Sequence, residues 1–382
     1  MLSHWMRLKR IMQQPNSDFS KIKQYARCKY ILFIAENIFL LIFLFVFLKN
    51  GYSLNLAGWL KERFQSNYAV IFLYLFVSLA AFSIFDLPLY FYRTFRLEHK
   101  FLLSRQKFGH WLIDQLKAGF INYFIFLFLS FTFLFCLKSF PKLWWLATAF
   151  FWLLGSFLLT RLFPIIIVPL FFRYRRIQDD SLRDSILALA KKMGLKVIDV
   201  FEIDFSKKTV KANAAFLGLG STKRIILADT LRLNFSIREI EAILAHEFAH
   251  FKLGHLLKLF WLESVTTVGL LLVIFVTNKP VLGYFGLSSL TELASLPLVL
   301  FYFAVGDVFL KPLRNFFSRM FERQADALAL RTTQDKEGFV FMLDRLANQN
   351  MADRNPSRWV KIYFLDHPPI EERIKLAQKL AF

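Results

Sequence analysis

Six stretches of this chain are long and apolar enough to cross a lipid bilayer, at about residues 30–48, 69–92, 119–137, 143–163, 257–277 and 290–310. A helix of about 20 apolar residues matches the hydrocarbon thickness. In lipid each backbone N–H and C=O must be paired inside the protein, so such stretches are read as helices. The sixth is the least clean, because it contains Glu292 and Pro297. Composition agrees: 56% of residues are hydrophobic, 20% are charged and 48 are Phe, which excludes a disordered chain and argues against a soluble globule. Cys28 and Cys136 are the only cysteines, so a disulfide scaffold is excluded too. The first 29 residues are basic and polar and lack the pattern of a cleavable secretory signal.

The formal net charge of +21 would suggest nucleic acid in a soluble protein. Here the cations follow the spans. Seven Lys/Arg precede the first span and six lie between Arg93 and Ala118, whereas the alternate loops carry three, two and one. Thirteen against six places the N-terminus in the cytoplasm, and no nucleic-acid partner is expected. Four spans then return the chain to the cytoplasm near Pro164. Residues 1–163 read as an N-terminal membrane domain with four transmembrane helices. Residues 164–382 read as a second domain, interrupted by the spans at about 257–277 and 290–310, with its soluble parts cytoplasmic.

The soluble part reads as a small α/β unit. Residues 180–193 have helical spacing, with Leu182, Ile186, Leu189 and Ala190 on one face. Residues 197–203, 212–218 and 224–228 read as strands, the last two joined by a turn at Gly220 and Ser221. Ser236 followed by Glu239 is a capping-box pattern and predicts a helix through Ile240, Ile243 and Leu244.

That helix contains His246-Glu247-Phe248-Ala249-His250. Imidazoles four residues apart stack on one helical face and can point at one zinc ion, with the intervening glutamate beside a metal-coordinated water. Random order of this composition produces the pattern about 0.004 times per chain. His255, nine positions after His246, falls half a turn off that face on a continuous helix and is not expected to be a ligand. A catalytic zinc needs a third protein ligand and one open position. Past the next two spans, Glu322 and Asp326 are again four apart. Glu322 is the expected third ligand. Asp326 is expected to accept from the far N–H of a ligating histidine. Arg319, one turn earlier, is placed to anchor either carboxylate.

His246-Glu-Phe-Ala-His250, two apolar spans, and then Ser318-Arg-Met-Phe-Glu322-Arg-Gln-Ala-Asp326 together resemble the type I CAAX prenyl proteases. These are multi-spanning zinc metallopeptidases of the gluzincin type. The segment 164–171, closing the fourth span, is similar to a family segment leading into the protease domain. Asn213-Ala-Ala-Phe-Leu-Gly218 looks like the family's substrate-facing strand, and His367-Pro-Pro-Ile-Glu-Glu-Arg373 like its C-terminal His-Pro segment. The loop 95–117 is similar as well. The resemblance covers most of the chain after about residue 69. It implies a mainly α membrane protein, with about six transmembrane helices and a cytoplasmic α/β zinc-metallopeptidase domain.

The activity so implied is hydrolysis of peptide bonds, with one Zn2+ per chain held by His246, His250 and Glu322, and Glu247 as general base. His367 is the candidate donor to the oxyanion, with Arg373 as runner-up. Asn213, Ala214, Ala215 and Phe216 are candidates for pairing with extended substrate backbone. The expected partners are a peptide or protein substrate and the lipid bilayer. Two substrates compete: a prenylated C-terminal peptide, and misfolded or regulatory membrane protein as in heat-shock membrane proteases. A transporter or channel is the reading of a different class. It has no need of a His-Glu-x-x-His helix with a distal Glu. Glu36, Asp86 and Glu263 lie in apolar runs, where a carboxylate faces a cavity or a partner. Glu263 is expected on the His246 helix, in a chamber wall.

Overall fold

The computed structural model describes residues 16–197, 199–217 and 224–380. The first part is helical: α1 Asn16–Lys49, α2 Tyr52–Arg63, α3 Asn67–Phe91, α4 Phe108–Ser139 and α5 Trp144–Leu162. α3 runs on through a π turn, Tyr92–Arg96, to Lys100, and α5 likewise runs on to Phe171. The second part holds β1 Tyr174–Arg176, α6 Asp180–Lys192, β2 Asp199–Ile203, β3 Ala214–Leu217, β4 Arg224–Ala228, α7 Asp229–Asn234 and α8 Ile237–Lys252. After it come α9 His255–Tyr284, α10 Leu296–Thr333, α11 Lys336–Gln349, α12 Arg358–Phe364 and α13 Ile370–Lys379.

Among the described residues six helices are long and apolar enough to span a bilayer, and each contains or overlaps one of the expected runs. Hydropathy does not announce the short α2, whose Lys61, Glu62 and Arg63 read as loop. It forms because Ser53, Ala57 and Leu60 are buried, and Ser53 Oγ binds the Tyr74 hydroxyl at 2.7 Å and the Ala294 carbonyl at 2.6 Å. Two of the expected intramembrane carboxylates have cations. Glu36 pairs with Arg93 at 2.6 Å and Glu263 with Arg314 at 3.3 Å. Asp86 keeps one buried oxygen without a hydrogen bond.

One expectation is overturned. α8 and α9 are separate helices, because Gly254 sits at φ +67, in the left-handed region that ends helices and favours glycine. Glu263 is therefore not on the His246 helix. It does line a cavity of about 520 Å³ between α3, α4, α5, α9 and α10.

The sheet order is β1-β2-β4-β3, with β2 and β4 parallel and β3 antiparallel to β4 at the edge. Of the expected strand at 197–203 the structure shows Asp199–Ile203, residue 198 lying outside the described residues, as does the turn at Gly220 and Ser221. α6 and α8 bury Leu182, Ile186, Ile240, Ile243 and Leu244 in one core with Ile225 and Leu227 of β4. α10 enters the same core through Ala325, Ala329 and Leu330. Its earlier half belongs to the membrane region, so one helix carries side chains from the bilayer to the sheet.

Candidate metal centre

α8 starts where its sequence says. Ser236 Oγ accepts from the Glu239 N–H at 3.4 Å, and Glu239 Oε2 accepts from the Ser236 N–H at 2.7 Å. The core face of α8 carries Ala242, Ala245 and Ala249, each at most 1% exposed, and α10 answers with Ala325 and Ala329 at 0%. Methyl side chains let two helices approach closely enough for short polar groups to meet across the contact.

They do meet. His246 Nε2 and His250 Nε2 are 3.1 Å apart, and each is 3.2 Å from an oxygen of Glu322. These three residues form the potential metal-ligating group found among the described residues. Behind it, His246 Nδ1 lies 2.8 Å from Asp326 Oδ1. The buried carboxylate fixes the ring proton on Nδ1 and leaves a lone pair on Nε2. His250 is oriented by a longer chain. Its Nδ1 is 3.1 Å from His255 Nδ1, and His255 Nε2 is 3.1 Å from Gln324 Oε1. Gln324 Oε1 accepts only, so His255 carries its proton on Nε2, and His250 donates from Nδ1. Both imidazoles then present a bare Nε2 to a carboxylate.

Converging lone pairs repel unless a positive charge lies between them. Burial by itself lowers the His246 pKa, yet the hydrogen-bonded Asp326 and Glu322 push it up to about 10. The site therefore demands a cation, either a proton or a metal. One Glu322 oxygen is buried without a hydrogen bond, as expected of a ligand atom. Tetrahedral zinc with ligands at about 2.0–2.1 Å sets its donors about 3.3 Å apart, so this donor set fits zinc. Glu247, the next residue along α8, is half-buried beside the cluster. Burial raises its pKa, and His246 and His250 partly offset that.

The other expected residues are placed as follows. Arg319 does not reach Glu322 or Asp326. Its Nη1 donates to the carbonyls of Lys361 at 2.8 Å and Leu365 at 2.5 Å, and Asn315 Nδ2 donates to Tyr363 O at 2.8 Å. α10 thereby holds the chain that delivers His367, whose Nε2 is 3.2 Å from Glu322 Oε1 and whose Nδ1 is 2.8 Å from Asp366. Arg373 is turned toward Asp326, at 2.8 and 2.6 Å, with Nη2 3.4 Å from His246 Nδ1. It braces the carboxylate behind His246 and is not free to meet an oxyanion. A cleft of about 590 Å³ is lined by His246, Glu247, His367, Asn213 and Ala214. Phe216 instead packs under α8, 5.4 Å from Phe248 and 4.9 Å from Phe251, so its side chain belongs to the core. Ala215 points to the opposite face by strand alternation. Sequence reasoning missed the His255–Gln324 support. The glycine before His255 was the available signal, since a helix stop there frees His255 to turn back.

Residues 176–381 match the sequence family described as peptidase family M48. The chain belongs to peptidase family M48. Residues 7–173 match a family described as the CAAX prenyl protease N-terminal region, with five membrane helices. Among the described residues of this M48 chain, that region holds four helices of spanning length together with the short α2. The chain is 29% identical over 371 residues to an uncharacterized metalloprotease of Bacillus subtilis, covering 95% of this chain and 86% of that protein. It is 29% identical to CAAX prenyl protease 1 of Saccharomyces cerevisiae over 395 residues, covering 94% and 85% respectively. The crystal structure of S. mikatae Ste24p superposes with a TM-score of 0.84 at 25% identity, over 96% of this chain and 89% of that one. The M48 chain is thus a multi-pass integral-membrane zinc metalloprotease, whose family implies a metal that is generally zinc.

Proposed function

We propose that the chain cleaves C-terminal peptides of membrane-attached, prenylated substrates at the cytoplasmic face. In this reading His246, His250 and Glu322 hold one zinc ion and Glu247 is the general base. The observation that carries it is the convergence of two bare imidazole nitrogens and a carboxylate beside Glu247, in a cleft reached by an edge strand.

Bound zinc supplies a Lewis acid that lowers the pKa of water and polarises a carbonyl. The chain's own residues do the rest. Ala214 offers the open edge of β3 to extended substrate backbone, and Asn213, whose carbonyl accepts from the Ala228 N–H at 3.0 Å, lines the cleft beside it. Glu247 takes a proton from the attacking water and returns it to the leaving amine. His367, whose Nε2 lies 3.2 Å from Glu322 Oε1, would turn that nitrogen to the developing oxyanion once Glu322 is engaged by the metal, with Asp366 holding its Nδ1. Asp326, with Arg373 behind it, keeps the His246 proton on Nδ1. The relatives named CAAX prenyl protease 1 support the substrate class, as do the rings of Tyr30, Phe33 and Phe364 in the cleft wall. The excess of Lys and Arg on alternate loops supports the cytoplasmic side.

The test compares purified protein with Glu247→Gln on one C-terminal peptide, farnesylated or unmodified. Glu247→Gln is expected to keep its zinc and lose at least ~100-fold in rate. An active Glu247→Gln sinks the hydrolytic assignment. Equal cleavage of the farnesylated and unmodified peptides sinks the prenyl assignment and favours general membrane-protein proteolysis. A reporter after Arg173 should read cytoplasmic and one near Lys279 external, and the reverse pattern overturns the sidedness.

A further inference from the structure

A second cavity, of about 540 Å³, lies away from the metal centre, where the loop after α3 and the start of α4 meet the end of α5 and the segment after β2. Its walls carry Arg105, Lys107, Lys117, Arg173, Lys207 and Lys208, against the carboxylates Asp114 and Asp204. Lys207 takes Asp204 at 2.6 Å and Lys208 takes Asp114 at 2.5 Å. Both carboxylates are then spent. Arg105, Lys107, Lys117 and Arg173 are exposed and have no carboxylate partner among the described residues; Lys117 donates only to the Leu170 carbonyl, at 2.9 Å.

The walls are fixed by contacts that do not use those four cations. The Arg105 backbone N–H donates to Lys208 O at 2.9 Å, and Thr209 Oγ1 donates to Leu103 O at 2.7 Å. Lys208 Nζ also lies 4.6 Å over the Phe172 ring. Four like charges held in one concavity repel each other unless an anion joins them. The cavity's depth indicates which anion. Beside it on α4, Leu112 and Leu116 are 41% and 66% exposed, Phe120 just beyond it is 66% exposed, and on the α5 side Ile165 and Ile166 are 62% and 52% exposed. Such side chains face lipid in a spanning helix. The cavity therefore lies at headgroup level, immediately above a lipid-facing surface.

We propose that this cavity binds the phosphate headgroup of an anionic phospholipid, with its acyl chains lying along the exposed face of α4. Guanidinium groups such as Arg105 and Arg173 suit phosphate through paired N–H donors. Basic pockets between membrane helices are a recurrent form of headgroup site. A free phosphate shares that chemistry but has no use for the apolar surface below.

The test uses the full chain in phosphatidylcholine nanodiscs with and without phosphatidylglycerol. It reads the thermal-unfolding midpoint and the binding of a fluorescent phosphatidylglycerol. Phosphatidylglycerol should raise the midpoint. Arg105→Gln with Arg173→Gln should weaken its binding about 30-fold, and Lys107→Gln alone about fivefold, which serves if the double variant folds poorly. Lys191→Gln with Lys192→Gln removes as much charge from α6, outside the cavity, and should change binding less than about twofold. Equal losses in the two double variants mean diffuse attraction and overturn the site. Inorganic phosphate that raises the midpoint of lipid-free, detergent-purified protein as much as phosphatidylglycerol does also overturns it.

Discussion

Helices α1 and α8 carry the same residue type in opposite arrangements. On α1, Ile31, Ile34, Ile38 and Ile42 form a stripe 44–56% exposed. On α8, Ile240 and Ile243 are buried at 1% and 8%. These isoleucines avoid water in both; the difference is that α1 has lipid outside it. Polar residues turn inward on both helices, with different outcomes. On α1, Glu36 meets Arg93 in direct contact, one anion with one cation. On α8, His246 and His250 meet Glu322, with Asp326 and Arg373 behind, and three lone pairs face one point. A balanced pair closes a structure, whereas an unbalanced set of acceptors calls for a further cation.

Removing one acceptor from the unbalanced set should break that contrast most sharply. Glu322→Ala is expected to lose nearly all zinc and activity, measured by metal analysis and peptide cleavage, because two histidines alone are a poor zinc site. A fully loaded, active Glu322→Ala protein would show that another residue completes the set. The next effect is indirect. Asp326→Asn retains a hydrogen-bond acceptor but removes the charge behind His246, so zinc affinity or activity should fall about 10–100-fold without vanishing. Wild-type values would reduce Asp326 to a structural partner of Arg373. Smaller again, His255→Ala removes a neutral support of His250 and should cost about tenfold in zinc affinity; no change would make His255 simply a core residue stacked on Phe321. The balanced pair gives the smallest effect on chemistry. Glu36→Gln should lower the unfolding midpoint while kcat and zinc content stay at wild type, and a lost kcat would mean that the two regions are coupled.

Much of this was legible in the sequence, for local reasons. Spanning helices follow from apolar length, α8 from its Ser236–Glu239 box, and the paired histidines from helical spacing. Glu322 and Asp326 were legible as a pair because they too share a helix face. What misled was geometry between elements. Arg319 is one turn from Glu322, yet it points to the carbonyls of Lys361 and Leu365. Arg373 follows the His-Pro segment closely, yet it turns back to Asp326. Phe216 sits in the substrate-like strand, yet its ring fills the space under α8.

By itself the sequence determined which segments enter lipid, which helix carries the paired histidines and which residue types face each other four apart, because each depends on the periodicity of one helix. Only the tertiary structure decided which acceptor lies behind which histidine, that His255 returns to His250 past the left-handed Gly254, and that Arg319 and Asn315 hold the His367 segment in place. Those choices depend on how closely α8 and α10 approach and how α12 lies across α10. The small residues permit that approach, but the distances arise from the packing of the whole core.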